Sequence, residues 1–311
     1  MQNMAKAVPG FSIGKLDIAW YAVIIVFGML LALFVVSKIF KKKGINGDFA
    51  LTIFLYAVPL AIIFARLGYV VGRKEYYPID TLEKFIKYIA IWEGGLTITT
   101  AVVGGALGVL IACLIHKKSF FRVTDLLVPG LLIGQIIGRW GNYVNGELYG
   151  KEVVNTSMQF FPFAVNIDGS WHYALFFYEG LFNFLFLVLI LVLIIKKIPN
   201  FVKGNYEKIG RYDDLVAAMN TYNSDKVPVG TISMLYLSWY PFLRGMLEFL
   251  KEEKYEINGF GVIQVASLII SPLMLLVLAL LITRYIKLET VKMKMLHFEL
   301  NKNIDSYQNN N

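Results

Sequence analysis

The sequence has a single cysteine, and only 17% of its side chains are charged. One cysteine, Cys113, rules out a disulfide framework within the chain. Flanked by apolar residues and set close to His116, Lys117 and Lys118, it reads as a buried small hydrophobe rather than a nucleophile. The shortage of charge, set against 57% hydrophobic residues and a mean hydropathy of +0.59, excludes a soluble domain of ordinary make-up. Short alternating segments are also missing, which excludes a strand barrel. No internal repeat of the kind found in inverted-repeat transporters is visible.

What is present is a series of long apolar runs. Ile18 to Phe40 and Leu181 to Ile195 are nearly free of charge, close to or beyond the roughly 20 residues a spanning helix needs. Spans are expected near 18–40, 49–71, 94–115, 122–144, 174–195, 231–249 and 261–284. The fold class is therefore all-α, a polytopic membrane protein of about seven transmembrane helices. The first run is too long for a signal-peptide core and lacks a cleavage site, so it is expected to be retained.

The net charge of +8 does not point to nucleic acid. Lysine and arginine gather in short loops beside the apolar runs, where they act as topology signals. Lys38 with Lys41 to Lys43, His116 to Lys118 with Arg122, Lys196 with Lys197, Lys203 and Lys208, and Arg284 with Lys287, Lys292 and Lys294 follow alternate spans. By the positive-inside rule these sites are cytoplasmic, the N-terminus is outside and the C-terminus inside. Residues 1–286 then form the transmembrane catalytic domain. Within it, 145–171 is a small extracytoplasmic head and 198–230 a cytoplasmic loop, and 287–311 is a tail expected to be disordered.

Ionisable residues inside or at the rim of the spans are the next signal: Arg66, Arg139 and Arg244, with Glu93, Glu147, Glu179 and Glu248. A charge at the bilayer centre costs roughly 2.5–3.5 kcal/mol on insertion scales, so each invites a functional reading. The topology brings all three arginines to the outer-leaflet side. There they repel one another unless an anion or carboxylates lie between them, and the guanidinium is well shaped for phosphate. Arg139, Asn142 and Asn145 recur every three residues, and Tyr240, Arg244 and Glu248 every four, so each set lines one side of its helix. Glu248 is expected to pair with Arg244 one turn away. Gly130, Gly134 and Gly138 read as helix-packing positions, whereas Gly94 and Gly95 beside Glu93 read equally well as a close approach to a ligand.

From Gly138 to Gly150 the chain reads Gly-Arg-Trp-Gly-Asn-Tyr-Val-Asn-Gly-Glu-Leu-Tyr-Gly. This resembles the signature of the prolipoprotein diacylglyceryl transferases, G-R-x-G-N-F-x-N-x-E-x-x-G, and departs from it only at Tyr143. The resemblance extends through Phe11 to Gly14, Trp20-Tyr21, Arg66 to Tyr69, Trp92 to Leu96, Phe177-Tyr178-Glu179, and the set Tyr240, Arg244 and Glu248. It implies transfer of diacylglyceryl from phosphatidylglycerol to the lipobox cysteine of a prolipoprotein in the bacterial cell membrane, with no metal and no cofactor. It assigns Arg139 and Arg244 to the phosphate, with Glu147 and Tyr21 beside them as catalytic residues. Asn142, Asn145, Tyr240, Arg66, Gly94, Gly95, Gly150 and Glu248 complete the expected substrate-binding set.

Two positions depart from the family pattern. Thr99 and Thr100 stand where the family has His and Gly after the Gly-Gly pair, and threonine is no general base near neutral pH. His172 stands where a His-Pro pair precedes the Leu-Tyr-Glu segment. The proton acceptor is therefore left open among Glu147, Tyr21 and the leaving phosphate. Two other classes compete: a transporter of an anionic solute, which also needs membrane arginines, and a non-catalytic lipid binder.

Overall fold

The computed structural model describes residues 10–14, 16–73, 91, 95–146, 149–197, 228–251, 256–257 and 260–308. The main helices of that region are α1 Trp20–Lys42, α2 Asp48–Gly72, α3 Ile98–Ile115, α4 Phe120–Val144, α5 Leu175–Lys197, α6 Thr231–Glu248 and α7 Val262–Gln308. Each coincides with one of the seven expected apolar runs. Six of them are long and apolar enough to cross a membrane. Helix α6 is not among those six: its 18 residues include Arg244, Glu248, Ser233, Ser238 and Pro241. Large apolar side chains on the spans stand open, with Phe27 59%, Leu55 61% and Leu280 62% exposed. Such faces have to be covered by lipid.

The chain divides into two compact units. Of the described residues, one comprises those within 26–134 and the other the remainder. In the first, α2 and α3 pack closely because α3 presents glycine to α2. A Cβ on Gly108 would sit 2.6 Å from the Ala57 Cα, and one on Gly104 would meet the Leu60 carbonyl. A Cβ on Gly130 would approach Val36 Cγ2 at 2.7 Å, the close helix packing expected of that position.

In the second unit, α6 lies against α7 and α5. Pro241 removes one amide from α6. In the turn before it, the Ser238 carbonyl accepts a hydrogen bond from Ser271 Oγ on α7 at 2.8 Å. Between α4 and α5 the chain forms a 3-10 turn, Thr156–Met158, and a hairpin of β3 Ala164–Ile167 with β4 Ser170–Tyr173. Two further hairpins are present. Strands β1 Gly10–Ile13 and β2 Leu16–Ala19 lead into α1, and β5 Glu256–Ile257 pairs with β6 Phe260–Gly261 before α7.

Helix α7 corrects one expectation. It runs on to Gln308 instead of giving way to a disordered tail after 286. Residues 287–308 are rich in Leu, Lys, Met and Glu and hold no Gly or Pro, so helix propensity carries the helix onward. The loop expected at 198–230 falls largely outside the described residues.

Candidate functional site

Three helices of the second unit bring charge to one place. Arg139 comes from the last turns of α4, Glu179 from the start of α5, and Arg244 from the last turns of α6. Glu179 lies between the two guanidinium groups. Arg139 Nη2 donates to Glu179 Oε1 at 2.6 Å, and Arg244 Nη1 donates to Glu179 Oε2 at 3.0 Å. The Glu179 side chain is 2% exposed, while the arginines retain 14% and 20%. With Glu248 and Lys251 beside them, three cationic and two acidic side chains meet there, which leaves the cluster net positive by one charge.

Those groups line a small cavity, together with Leu175, Phe176, Leu247, Glu248 and Lys251. The cavity is apolar on one side and charged on the other. The apolar wall is firm: Leu175, Leu243 and Leu247 form one buried cluster, with Trp239 and Tyr178 packed against it. Phe176 belongs to a second cluster with Val165 and Ala174, which ties the β3–β4 hairpin to the start of α5.

The sequence-derived residues fall into three groups. Arg139, Arg244, Glu248, Asn142 and Tyr240 come together. Arg139 Nη1 reaches Asn142 Oδ1 at 3.4 Å, and the Tyr240 side chain interacts with Arg139 and stacks on Tyr236 with centroids 6.0 Å apart. Tyr21 packs near the same stretch of α4: a Cβ on Gly141 would lie 3.0 Å from the Tyr21 ring, so the glycine admits the ring. Asn145 closes α4, its amide bonded to the Gly141 carbonyl at 3.1 Å. Gly150 is a packing position. Its amide donates to the Tyr173 carbonyl at 2.9 Å, and a Cβ there would sit 2.8 Å from the Leu250 carbonyl.

The second group belongs to the other unit. Arg66 is 4% exposed, with Nη1 donating to the Gly95 carbonyl at 3.4 Å and its guanidinium over the Tyr69 ring at 5.6 Å. Gly95 takes a positive φ of 70° with the Tyr69 ring against it, a conformation that favours glycine. Thr100 lies against Gly68 and bonds the Thr97 carbonyl at 3.0 Å, while Thr99 is exposed. Glu147, Gly94 and Glu93 form the third group and lie outside the described residues.

Arg244 pairs with Glu248 one turn away, as expected, at 4.0 Å, and it makes a second contact with Glu179 that is shorter by a full ångström. Glu179 was absent from the expected site residues. The signal for it was there: a lone acid near the start of a largely apolar helix must meet positive charge from elsewhere. His172 serves the loop instead. Its Nδ1 lies 3.0 Å from the Gly150 carbonyl and its ring packs on Tyr149.

Comparison with known proteins fits this geometry to a family. The family model described as prolipoprotein diacylglyceryl transferase matches residues 10–283. The chain belongs to that family. Relatives named phosphatidylglycerol–prolipoprotein diacylglyceryl transferase include one from Oceanobacillus iheyensis, 38% identical over 189 residues. That match covers 58% of this chain and 65% of the relative, so the chain spans just under two thirds of that relative's length. A relative from Streptococcus agalactiae is 32% identical over 260 residues, 83% of this chain and 89% of its own. One from Lactobacillus delbrueckii subsp. bulgaricus is 30% identical over 285 residues, covering 90% and 91%. Within the family's matched stretch, Arg139, Glu179, Arg244, Glu248 and Lys251 are the charged residues that line the cavity.

Proposed function

We propose that this membrane protein transfers the diacylglyceryl group of phosphatidylglycerol to the thiol of a lipobox cysteine in a prolipoprotein. The products are a thioether and glycerol phosphate. Family membership and the names of the relatives support the reading. The observation that carries it is the convergence of Arg139 and Arg244 on one part-apolar cavity. Displacement at a glyceryl carbon pushes negative charge onto the departing phosphate, and a net positive pair fixed in advance stabilises that charge without reorganisation. Asn142 orients Arg139, Tyr240 offers a hydroxyl beside it, and Glu179 holds the pair apart in a fixed geometry. Glu147, Tyr21, Asn145 and Gly150 complete the proposed set around donor and acceptor, and Arg66, Gly94 and Gly95 are proposed as functional residues of the other unit.

The test is incubation of the protein in phosphatidylglycerol-containing nanodiscs with a lipobox peptide, scoring mass gain on the peptide cysteine. The wild-type chain gives the thioether, and Arg139→Ala and Arg244→Ala each abolish it. Full activity in both variants rejects the phosphate assignment. A transporter of an anionic solute predicts no mass gain at all.

The alternation of basic loops places the region before α1 outside the bacterial cell membrane and the end of α7 in the cytoplasm, with α6 as the seventh span. A cysteine introduced at Lys42 is then shielded from an impermeant thiol reagent in intact cells. Labelling from outside inverts the topology.

A further inference from the structure

The two carboxylates at the cavity are not equivalent. Glu179 is fully engaged, since each of its oxygens accepts a short charge-assisted bond from a different arginine. Glu248 also lines the cavity and is equally buried, its residue 2% exposed. Its Oε2, however, accepts no hydrogen bond, and its ion-pair contact with Arg244 Nη2 is long, at 4.0 Å. A buried carboxylate oxygen without a hydrogen bond calls for an explanation. On a residue that lines the cavity, such an oxygen can take a proton from a group bound there.

Resting on the transfer reading above, we propose that Glu248 is the proton acceptor for the incoming thiol. The thiol S–H bond breaks and its proton passes to Glu248 Oε2. The sulfur electron pair forms the bond to the glyceryl carbon as the bond from that carbon to the phosphate oxygen breaks, its pair leaving with the phosphate. The proton then moves from the Glu248 carboxyl to the departing phosphate, which restores the carboxylate. Thiol and phosphodiester monoanion thus become thioether and phosphate monoester monoanion. The charged groups around Glu248 at the cavity are Arg139 on α4, Glu179 on α5, Arg244 on α6 and Lys251 just beyond it. This division of labour explains how a chain with Thr99 at the usual histidine position keeps a base. Glu179 fixes the arginines, and Glu248 stays free to change protonation state.

The experiment compares wild-type, Glu248→Gln and Glu248→Asp proteins in phosphatidylglycerol nanodiscs with a cysteine lipobox peptide. Turnover is followed from pH 6 to 9, and phosphatidylglycerol binding is measured in parallel. A positioned base contributes about 10²- to 10⁴-fold, so Glu248→Gln should lose at least about 100-fold at pH 7 while still binding lipid. The deficit should shrink towards pH 9, where the peptide thiol ionises unaided, its pKa being about 8.5. A Glu248→Gln deficit that is absent, or constant across the pH range, overturns the proposal. If that variant does not fold, Glu248→Asp decides: a lower rate with the wild-type acid limb supports the proposal, and an unchanged rate overturns it. No thioether from the wild-type protein overturns the transfer reading itself, and the base assignment with it.

Discussion

Buried arginine is compensated in two ways in this molecule. At the α4–α5–α6 site, Arg139 and Arg244 share the carboxylate of Glu179 at 2.6 and 3.0 Å. In the other unit, Arg66 leans on a neutral carbonyl, that of Gly95, at 3.4 Å and on the face of Tyr69. The first arrangement has strong, short, charged bonds that fix two guanidinium groups at a set spacing. The second includes longer contacts, to a carbonyl and to a ring face. Both keep a charge in a place where an unpaired one is costly. The shared carboxylate does so for two arginines at once and leaves a positive surplus facing a cavity, which suits an anion. The carbonyl contact ties Arg66 to the chain segment before α3 and so joins two stretches of backbone.

Removing the shared partner is the sharpest way to break this comparison. Glu179→Ala leaves two guanidinium groups facing each other with no carboxylate between them, and a buried pair that loses one member is destabilised by about 3–5 kcal/mol. The variant should unfold at clearly lower temperature in detergent, and peptide lipidation should fall at least about 100-fold because the arginines no longer hold their spacing. Wild-type unfolding together with wild-type turnover would mean that Glu179 is a bystander and that the arginines are positioned by something else.

The helices were legible in the sequence because a membrane demands long apolar runs, and those runs stand out along a chain. Helix α6 was legible among the same runs, and the four-residue spacing of Tyr240, Arg244 and Glu248 shows which of its residues share a face. That spacing points to the Arg244–Glu248 pair, found at 4.0 Å, but not to the shorter contact with Glu179, 65 residues away. Local periodicity shows which residues share a face, but not which face meets it. The short hairpins were missed because two to four residues carry too little pattern. The helical tail was missed because its polar, asparagine-ended sequence outweighed its helix formers in the reading.

A milder change separates the two arginine environments from the other side. Arg66→Lys keeps the positive charge and gives up the flat guanidinium that reaches the Gly95 carbonyl and covers Tyr69. Both contacts are long, at 3.4 and 5.6 Å, so little energy is stored in them. The loss expected from these two contacts is about 1 kcal/mol of stability, the scale of one neutral hydrogen bond with a weak cation–π contact. Arg139→Lys, by contrast, replaces the 2.6 Å bond to Glu179 with a point charge that cannot reproduce the planar fork. Thermal unfolding in detergent and peptide lipidation, measured side by side on the two lysine variants, should show a small shift with retained turnover for Arg66→Lys and a severe loss of turnover for Arg139→Lys. If both lose turnover equally, Arg66 contacts the lipid phosphate as well, and the distinction between a carboxylate-shared and a carbonyl-held arginine no longer marks the site.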